Sequence, residues 1–215
     1  MNIRIAQINP IVGDIDGNSE LIRKTIISSP DHSIIVFPEL AITGYPPQDL
    51  LLDSKFINQA QDAIQSLKTN VQRKVAIIGL PRYYEENLYN SAAIINNQKI
   101  LGYHDKVLLP TYDVFDEKRY FKSSNTIQPY EISLDGKVIK IGVQICEDLW
   151  DQNYDLSVSD ELIQKGAEMM INISASPYRK FIIDKRIKLC KDRAVHLKYY
   201  FIYCNMVGAQ DELVF

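Results

Sequence analysis

Apolar and polar positions along this chain switch repeatedly between two periods. Residues 2–9 (NIRIAQIN) alternate in strand fashion, and after the turn-rich VGDIDGN, residues 19–28 (SELIRKTIIS) carry apolar side chains at helical spacing. SIIVFPE then reads as a short buried strand stopped by Pro38. The Gly/Pro loop ITGYPPQDLLL follows, and residues 54–69 return to helical spacing with Ser54 as the cap. KVAIIGL is a strand. LYNSAAIIN and KILGYHDK predict a hairpin around Asn97 and Gln98, and EISLDGKVIKIGVQIC a second one turning at Asp135-Gly136. Between the hairpins, residues 110–129 form a long polar and aromatic loop. Residues 157–167 are helical, EMMINIS is a strand, 180–199 form a long amphipathic helix, and YYFIYCNMVGA supplies a further strand before DELVF.

Strands alternating with helices, with no repeat or flexible linker, predict one α/β domain whose helices cover sheet faces. The hairpins require mixed rather than purely parallel sheets. The chain stops at Phe215 with no closing helix or polar tail, so a domain truncated at its C-terminal end is expected.

Composition narrows the function more than the fold. The 215 residues are 46% hydrophobic and 24% charged, enough for a substantial core. A net charge of −3 gives no basic footprint for nucleic acid or an anionic membrane surface. The N-terminus lacks the pattern of a signal peptide, and no apolar run is long enough to span a bilayer, so a cytoplasmic location is expected. Cys146, Cys190 and Cys204 are odd in number and far apart, which disfavours both disulfides and a zinc site.

The segment VQICEDLW raises the chemical question: a strand ends on a thiol, followed at once by two carboxylates that oppose its ionisation. Two other strands also end beside a reactive side chain, IIVFPEL with Glu39 and ILGYHDKVLLP with Lys106. Ligands of α/β sheets collect outside strand carboxyl ends, so the three can converge. There Glu39 can take the thiol proton, Lys106 can offset developing negative charge, and Cys146 can attack a carbonyl. A turn starting at Cys146 offers the N–H of Glu147 to an oxyanion, while the two carboxylates are free to point away. Taken singly, each residue also has a plain reading: an inert buried thiol, a loop acid, a solvated lysine. His32, His104 and His196 show no metal or dyad spacing and read as structural histidines.

Taken together, FPELAITGYPPQDLLL, HDKVLLPTYDVFDEKRYF and GVQICEDLWD resemble the nitrilase superfamily. More narrowly, they resemble the N-terminal glutaminase domain of glutamine-dependent NAD+ synthetases, from Ile3 to the last residue. The resemblance implies a four-layer α-β-β-α sandwich with mixed sheets. It also implies a triad with Glu39 as general base, Lys106 as oxyanion-stabilising cation and Cys146 as nucleophile, and Glu117 as a second glutamate held against the lysine. By the same resemblance, Tyr45 and Tyr112 lie near the substrate. Phe115, Glu147, Trp150 and the SASP segment with Ser174 and Ser176 line its pocket. One departure is local: Phe181 and Ile182 stand where relatives carry a glycine and then a lysine or arginine. Arg186 is retained, and Arg179 or Lys180 are the cations left to meet a substrate carboxylate.

The implied reaction is release of ammonia from L-glutamine through a Cys146 thioester. In such enzymes a C-terminal synthetase domain uses the ammonia, with ATP and Mg2+, to amidate nicotinic acid adenine dinucleotide. No pyrophosphate-binding loop for that domain occurs in these residues, and no cofactor or metal is expected here. Self-association is expected, because family members commonly assemble through this domain. Two other readings stay open: a stand-alone amidase of the same superfamily acting on another small amide, and a non-catalytic fragment.

Overall fold

The computed structural model describes residues 1–197, 200–210 and 212–215. Two sheets stack face to face. The first contains β1 (Asn2–Ile5), β2 (Ser33–Val36), β3 (Val75–Tyr84), β4 (Asn87–Asn96) and β5 (Lys99–Asp105), in that order. β1, β2 and β3 run parallel, whereas β3–β4–β5 is an antiparallel meander. The second sheet is ordered β6 (Tyr130–Leu134), β7 (Lys137–Ile145), β8 (Met169–Ser174) and β9 (Tyr200–Asn205); β6–β7 is antiparallel and the rest parallel. Both hairpins turn where the sequence places them, through left-handed Asn97-Gln98 and Asp135-Gly136.

Helices α1 (Ile15–Ser28) and α2 (Ser54–Leu67) cover the outer face of the first sheet. α3 (Val158–Gln164) and α4 (Ile182–Leu197) lie against the second. This is a four-layer α-β-β-α sandwich with mixed sheets. Period-two alternation creates the layers. In β2, Ile35 faces the helices while Ile34 and Val36 face the opposing sheet; in β3, Ala76, Ile78 and Leu80 separate in the same way from Val75 and Ile77. Ile141, Val143 and Ile145 of β7 complete the layer between the sheets from the other side.

Some boundaries move. α1 starts at Ile15, four residues before the predicted helix, because Asp14 accepts the N–H of Gly17 and caps it ahead of the turn-like Gly-Asn pair. The cap of α2 is Asp53, which accepts from Lys55 N–H, and Ser54 is its first helical residue. Positions 198 and 199 of the predicted long helix lie outside the described residues, as does the side chain of His196. The last segment folds into a short hairpin, β10 (Ala209–Gln210) with β11 (Leu213–Val214), and Tyr178 N–H donates to Val214 O at 2.5 Å. Among the described residues no helix is long and apolar enough to cross a membrane.

Candidate active site

Three chain segments deliver the reactive groups to one end of the stacked sheets. The loop after β2 carries Glu39 and packs tightly on β3. A Cβ on Gly79 would lie 2.4 Å from both Pro38 O and Leu40 N, so only glycine lets the two backbones approach this closely. Lys106 follows the last residue of β5, its N–H donating to Asn90 O of β4 at 2.8 Å. Cys146 follows β7 with a left-handed φ of 43°, unusual for a residue with a side chain, and opens a 3-10 turn over Cys146–Leu149.

The floor of the site is a buried ion cluster. Lys106 Nζ donates to Glu39 Oε1 at 2.7 Å and to Glu117 Oε1 at 2.8 Å, with all three side chains nearly inaccessible. Glu39 is held from two further directions. Asn90 Nδ2 donates to Oε1 at 2.8 Å, and the backbone N–H of Ala175, at the end of β8, donates to Oε2 at 2.9 Å. Glu117 also accepts from Tyr45 Oη at 3.1 Å, while its Oε2 is buried with no partner among the described residues.

Charge in this cluster follows burial and neighbours. Burial pushes the Cys146 thiol well above its ordinary range, Glu39 pushes the same way, and Lys106 opposes them. Burial works against the Lys106 ammonium, but Glu117 and Glu39 outweigh it and hold its pKa well above the usual lysine value. Burial raises the Glu117 carboxyl to about 7, with Glu39 adding to the rise and Lys106 opposing it. Cys190 and Cys204 are pushed by burial to about 11 and about 12, and neither belongs to the cluster.

On the side of Cys146 lies a cavity of about 390 Å³, a size suited to a small molecule. Cys146, Glu147, Trp150, Tyr112, Phe115 and Ser176 line it. Glu147 faces the cavity, accepting from Tyr112 Oη at 2.8 Å and Tyr154 Oη at 3.1 Å; burial raises its pKa and the two phenols lower it. Adjacent in sequence, Asp148 is fully buried and turns the other way. Tyr45 sits behind the cluster, in a second hollow of about 240 Å³ that it shares with Glu117. Ser174 is buried at the end of β8, donating to Asn172 Oδ1 at 2.7 Å, and does not line the cavity. A larger surface groove between α1 and α2, about 530 Å³, contains none of these groups.

At the departure from the expected pattern, Ile182 and Arg179 line the cavity, whereas Phe181 is exposed with a left-handed φ of 65°. Arg186 reaches the SASP segment from behind, donating to Ser176 O at 2.5 Å, Ser176 Oγ at 3.0 Å and Pro177 O at 2.9 Å. It fixes that segment and is not itself a lining residue. The end of the chain also contributes, through Glu212, Leu213 and Val214. Sequence reasoning passed over Asn90, Tyr154 and the Ala175 N–H. For Asn90 the signal was a polar pair, Asn90-Ser91, inside an otherwise apolar strand.

Comparison with known proteins bears on the family and the fold. The chain is 40% identical to the glutamine-dependent NAD(+) synthetase of Aquifex aeolicus over 218 residues, covering all of this chain and 37% of that protein. Against the Thermotoga maritima enzyme of the same name it is 36% identical, again over 100% of this chain and 37% of the other. It thus spans a little over a third of the length of these relatives. The structure superposes on the glutamine-dependent NAD+ synthetase of Acinetobacter baumannii with a TM-score of 0.87 and 32% identity, covering 99% of this chain and 39% of that one. An amidase from Nesterenkonia sp. shares the fold, with a TM-score of 0.81 at 19% identity, over all of this chain and 79% of the other. The carbon-nitrogen hydrolase family model matches residues 2–215, and the chain belongs to that family.

Proposed function

We propose that this chain is a glutamine amidohydrolase, releasing ammonia from L-glutamine through a thioester on Cys146. The observation that carries the reading is the buried Lys106 ammonium, bonded to both Glu39 and Glu117, whose charges act on the Cys146 thiol that lines the cavity. Because burial keeps the thiol protonated at rest, its proton must leave during attack, and Glu39 is the base for it. As the Cys146 sulfur bonds to the carboxamide carbon, Lys106 and the Glu147 N–H donate to the oxyanion, each lowering the barrier by about 3 kcal/mol. The first N–H groups of a helical turn have no partner within it and are available for this. Collapse breaks the carbon–nitrogen bond, and Glu39 returns its proton to the departing ammonia. Glu39 then activates the water that releases glutamate. The unpartnered Glu117 Oε2 is an acceptor for a carboxamide N–H. Glu147 faces the substrate ammonium, and Arg179 is the cation on the rim for its carboxylate.

The relatives named above support the use of the ammonia. In the longer protein that they exemplify, it amidates nicotinic acid adenine dinucleotide in a synthetase domain, where ATP and Mg2+ are bound. Self-association and a cytoplasmic setting, where a free catalytic thiol stays reduced, belong to the same proposal. Intact mass after incubation with 6-diazo-5-oxo-L-norleucine tests it. A single adduct, blocked by glutamine and absent from Cys146→Ala, is expected. Labelling of Cys146 by iodoacetamide but not by the diazoketone would overturn the glutamine assignment and favour an amidase for another small amide.

A further inference from the structure

The second carboxylate after the nucleophile has no place in the chemistry above, yet it is among the most heavily bonded side chains near the site. Asp148 is wholly buried, and each of its oxygens accepts two hydrogen bonds. Oδ1 takes the backbone N–H groups of Val107 at 3.0 Å and Leu108 at 2.9 Å. Oδ2 takes the N–H of Ile145 at 3.0 Å and pairs with His104 Nε2 at 3.1 Å. Val107 and Leu108 directly follow Lys106, His104 lies two residues before it, and Ile145 directly precedes Cys146. One carboxylate therefore ties the chain on both sides of the lysine to the turn that presents the thiol. The backbone carbonyl of Asp148 accepts from Gln144 Nε2 at 3.1 Å, and that amide in turn donates to Ser159 of α3. The two strands that end here, β5 and β7, belong to different sheets, so no ladder hydrogen bonds fix the distance between Lys106 and Cys146.

We propose that Asp148, with His104 as its partner, is a positioning residue that sets the Lys106 ammonium relative to the Cys146 thiol across the junction of the two sheets. The inference deepens the glutaminase reading and rests on its Lys106–Cys146 pair, but not on glutamine being the substrate. Displacing a reacting group by about 1 Å costs on the order of 100-fold in rate, which is the effect the clasp prevents. An amide in place of the carboxylate can still accept at one oxygen, but its NH2 opposes the Ile145 N–H, so the clasp opens on the nucleophile's side.

The test compares Asp148→Asn and His104→Gln with the parent protein, measuring glutaminase kcat and KM, thermal unfolding, and the rate at which iodoacetamide alkylates Cys146 at pH 7.5. Asp148→Asn is expected to lower kcat about 100-fold with KM within a factor of about 3. His104→Gln removes or weakens one bond of four and is expected to produce a smaller fall in the same direction. Alkylation gives the decisive sign. Were Asp148 only a nearby negative charge, its removal would favour the thiolate and quicken alkylation; as the clasp that keeps Lys106 beside the sulfur, its removal slows it. A folded Asp148→Asn with parental kcat, or with faster alkylation, overturns the proposal. Should Asp148→Asn not fold, His104→Gln decides alone: reduced kcat with slower alkylation supports the clasp, and parental values for both overturn it. Because iodoacetamide is not a glutamine mimic, its result stands whichever amide the protein hydrolyses.

Discussion

The floor of the site, its buried ion cluster, and the rim of the cavity beside it are built on opposite terms. On the floor, Lys106, Glu39 and Glu117 have side chains 1%, 1% and 6% exposed and bond to one another at 2.7–2.8 Å. On the rim, Arg179 and Asp113 are 60% and 66% exposed and 3.9 Å apart. A buried charge without a partner is costly, so the floor tolerates little change of residue type, and any change there is felt in stability as well as rate. The rim is solvated, and an exposed pair contributes about 0–1 kcal/mol, so substitution there is cheap. The departure from the expected sequence pattern falls next to the rim, where Phe181 is exposed and Ile182 is buried against the cavity. In the proposed reaction, bond-making would fall to groups that cannot be exchanged singly, and the part of the substrate remote from the bond to groups that can.

The sharpest way to break the contrast is Lys106→Met, which strips the shared cation from two buried carboxylates. Stability is expected to fall by about 3–5 kcal/mol at pH 8, and glutaminase turnover by at least about 100-fold. Urea unfolding and ammonia release read the two effects. A stable, inactive variant would show that the carboxylates do not depend on the lysine for their burial.

Glu117→Gln sharpens it through pH. The carboxyl rises from an ordinary 4.5 to about 7 on folding, chiefly through burial. Below about 4.5 it is protonated in both states. Between 4.5 and 7 only the folded chain holds the proton, so this group's stabilising contribution is lost as pH rises across that window and levels off above it. The difference in unfolding free energy between parent and Glu117→Gln is expected to shift against the parent over that window. A flat difference would mean that Glu117 titrates alike in both states.

The smallest effect belongs to the rim. Arg179→Ala is expected to raise the KM for glutamine about tenfold, a loss of about 1.4 kcal/mol, with kcat and thermal midpoint close to parental. Steady-state kinetics with glutamine beside a small amide lacking the carboxylate checks this, because the small amide should not register the change. A matching loss of kcat would place Arg179 with the floor.

Much of the fold was legible because burial on both faces of a sheet leaves a plain mark. SIIV, VAIIGL and IGVQI are apolar but for Ser33 and Gln144, and the hairpin turns carry residues that tolerate positive φ. Helix starts were less legible: Asp14 and Asp53 act as caps through side-chain geometry that their neighbours obscure. Within the site, Glu39, Lys106 and Cys146 each sit where a strand pattern ends, which made them candidates, and the family resemblance of the three segments singled them out. Ser174 shows the limit. It belongs to the same short segment as Ser176, yet it ends β8 with its hydroxyl turned to Asn172 while Ser176 reaches the cavity.

By itself, then, the sequence determined the strands, the hairpin turns and the α/β class, since these depend on residue type and local period, while its family resemblance implied the four layers and the roles of Glu39, Lys106 and Cys146. Only the tertiary structure decided what holds those groups in place. Glu39 is held by a backbone N–H from a residue 136 positions away, and Lys106 is tied to the nucleophile's turn through Asp148. Glu147 and Asp148 are neighbours of the same charge, and nothing in their identity says that one faces the cavity and the other faces inward. The left-handed backbone at Cys146 and the short turn after it set their directions, and backbone donors at Val107 and Leu108, just past the end of β5, and at Ile145 give the buried carboxylate its partners.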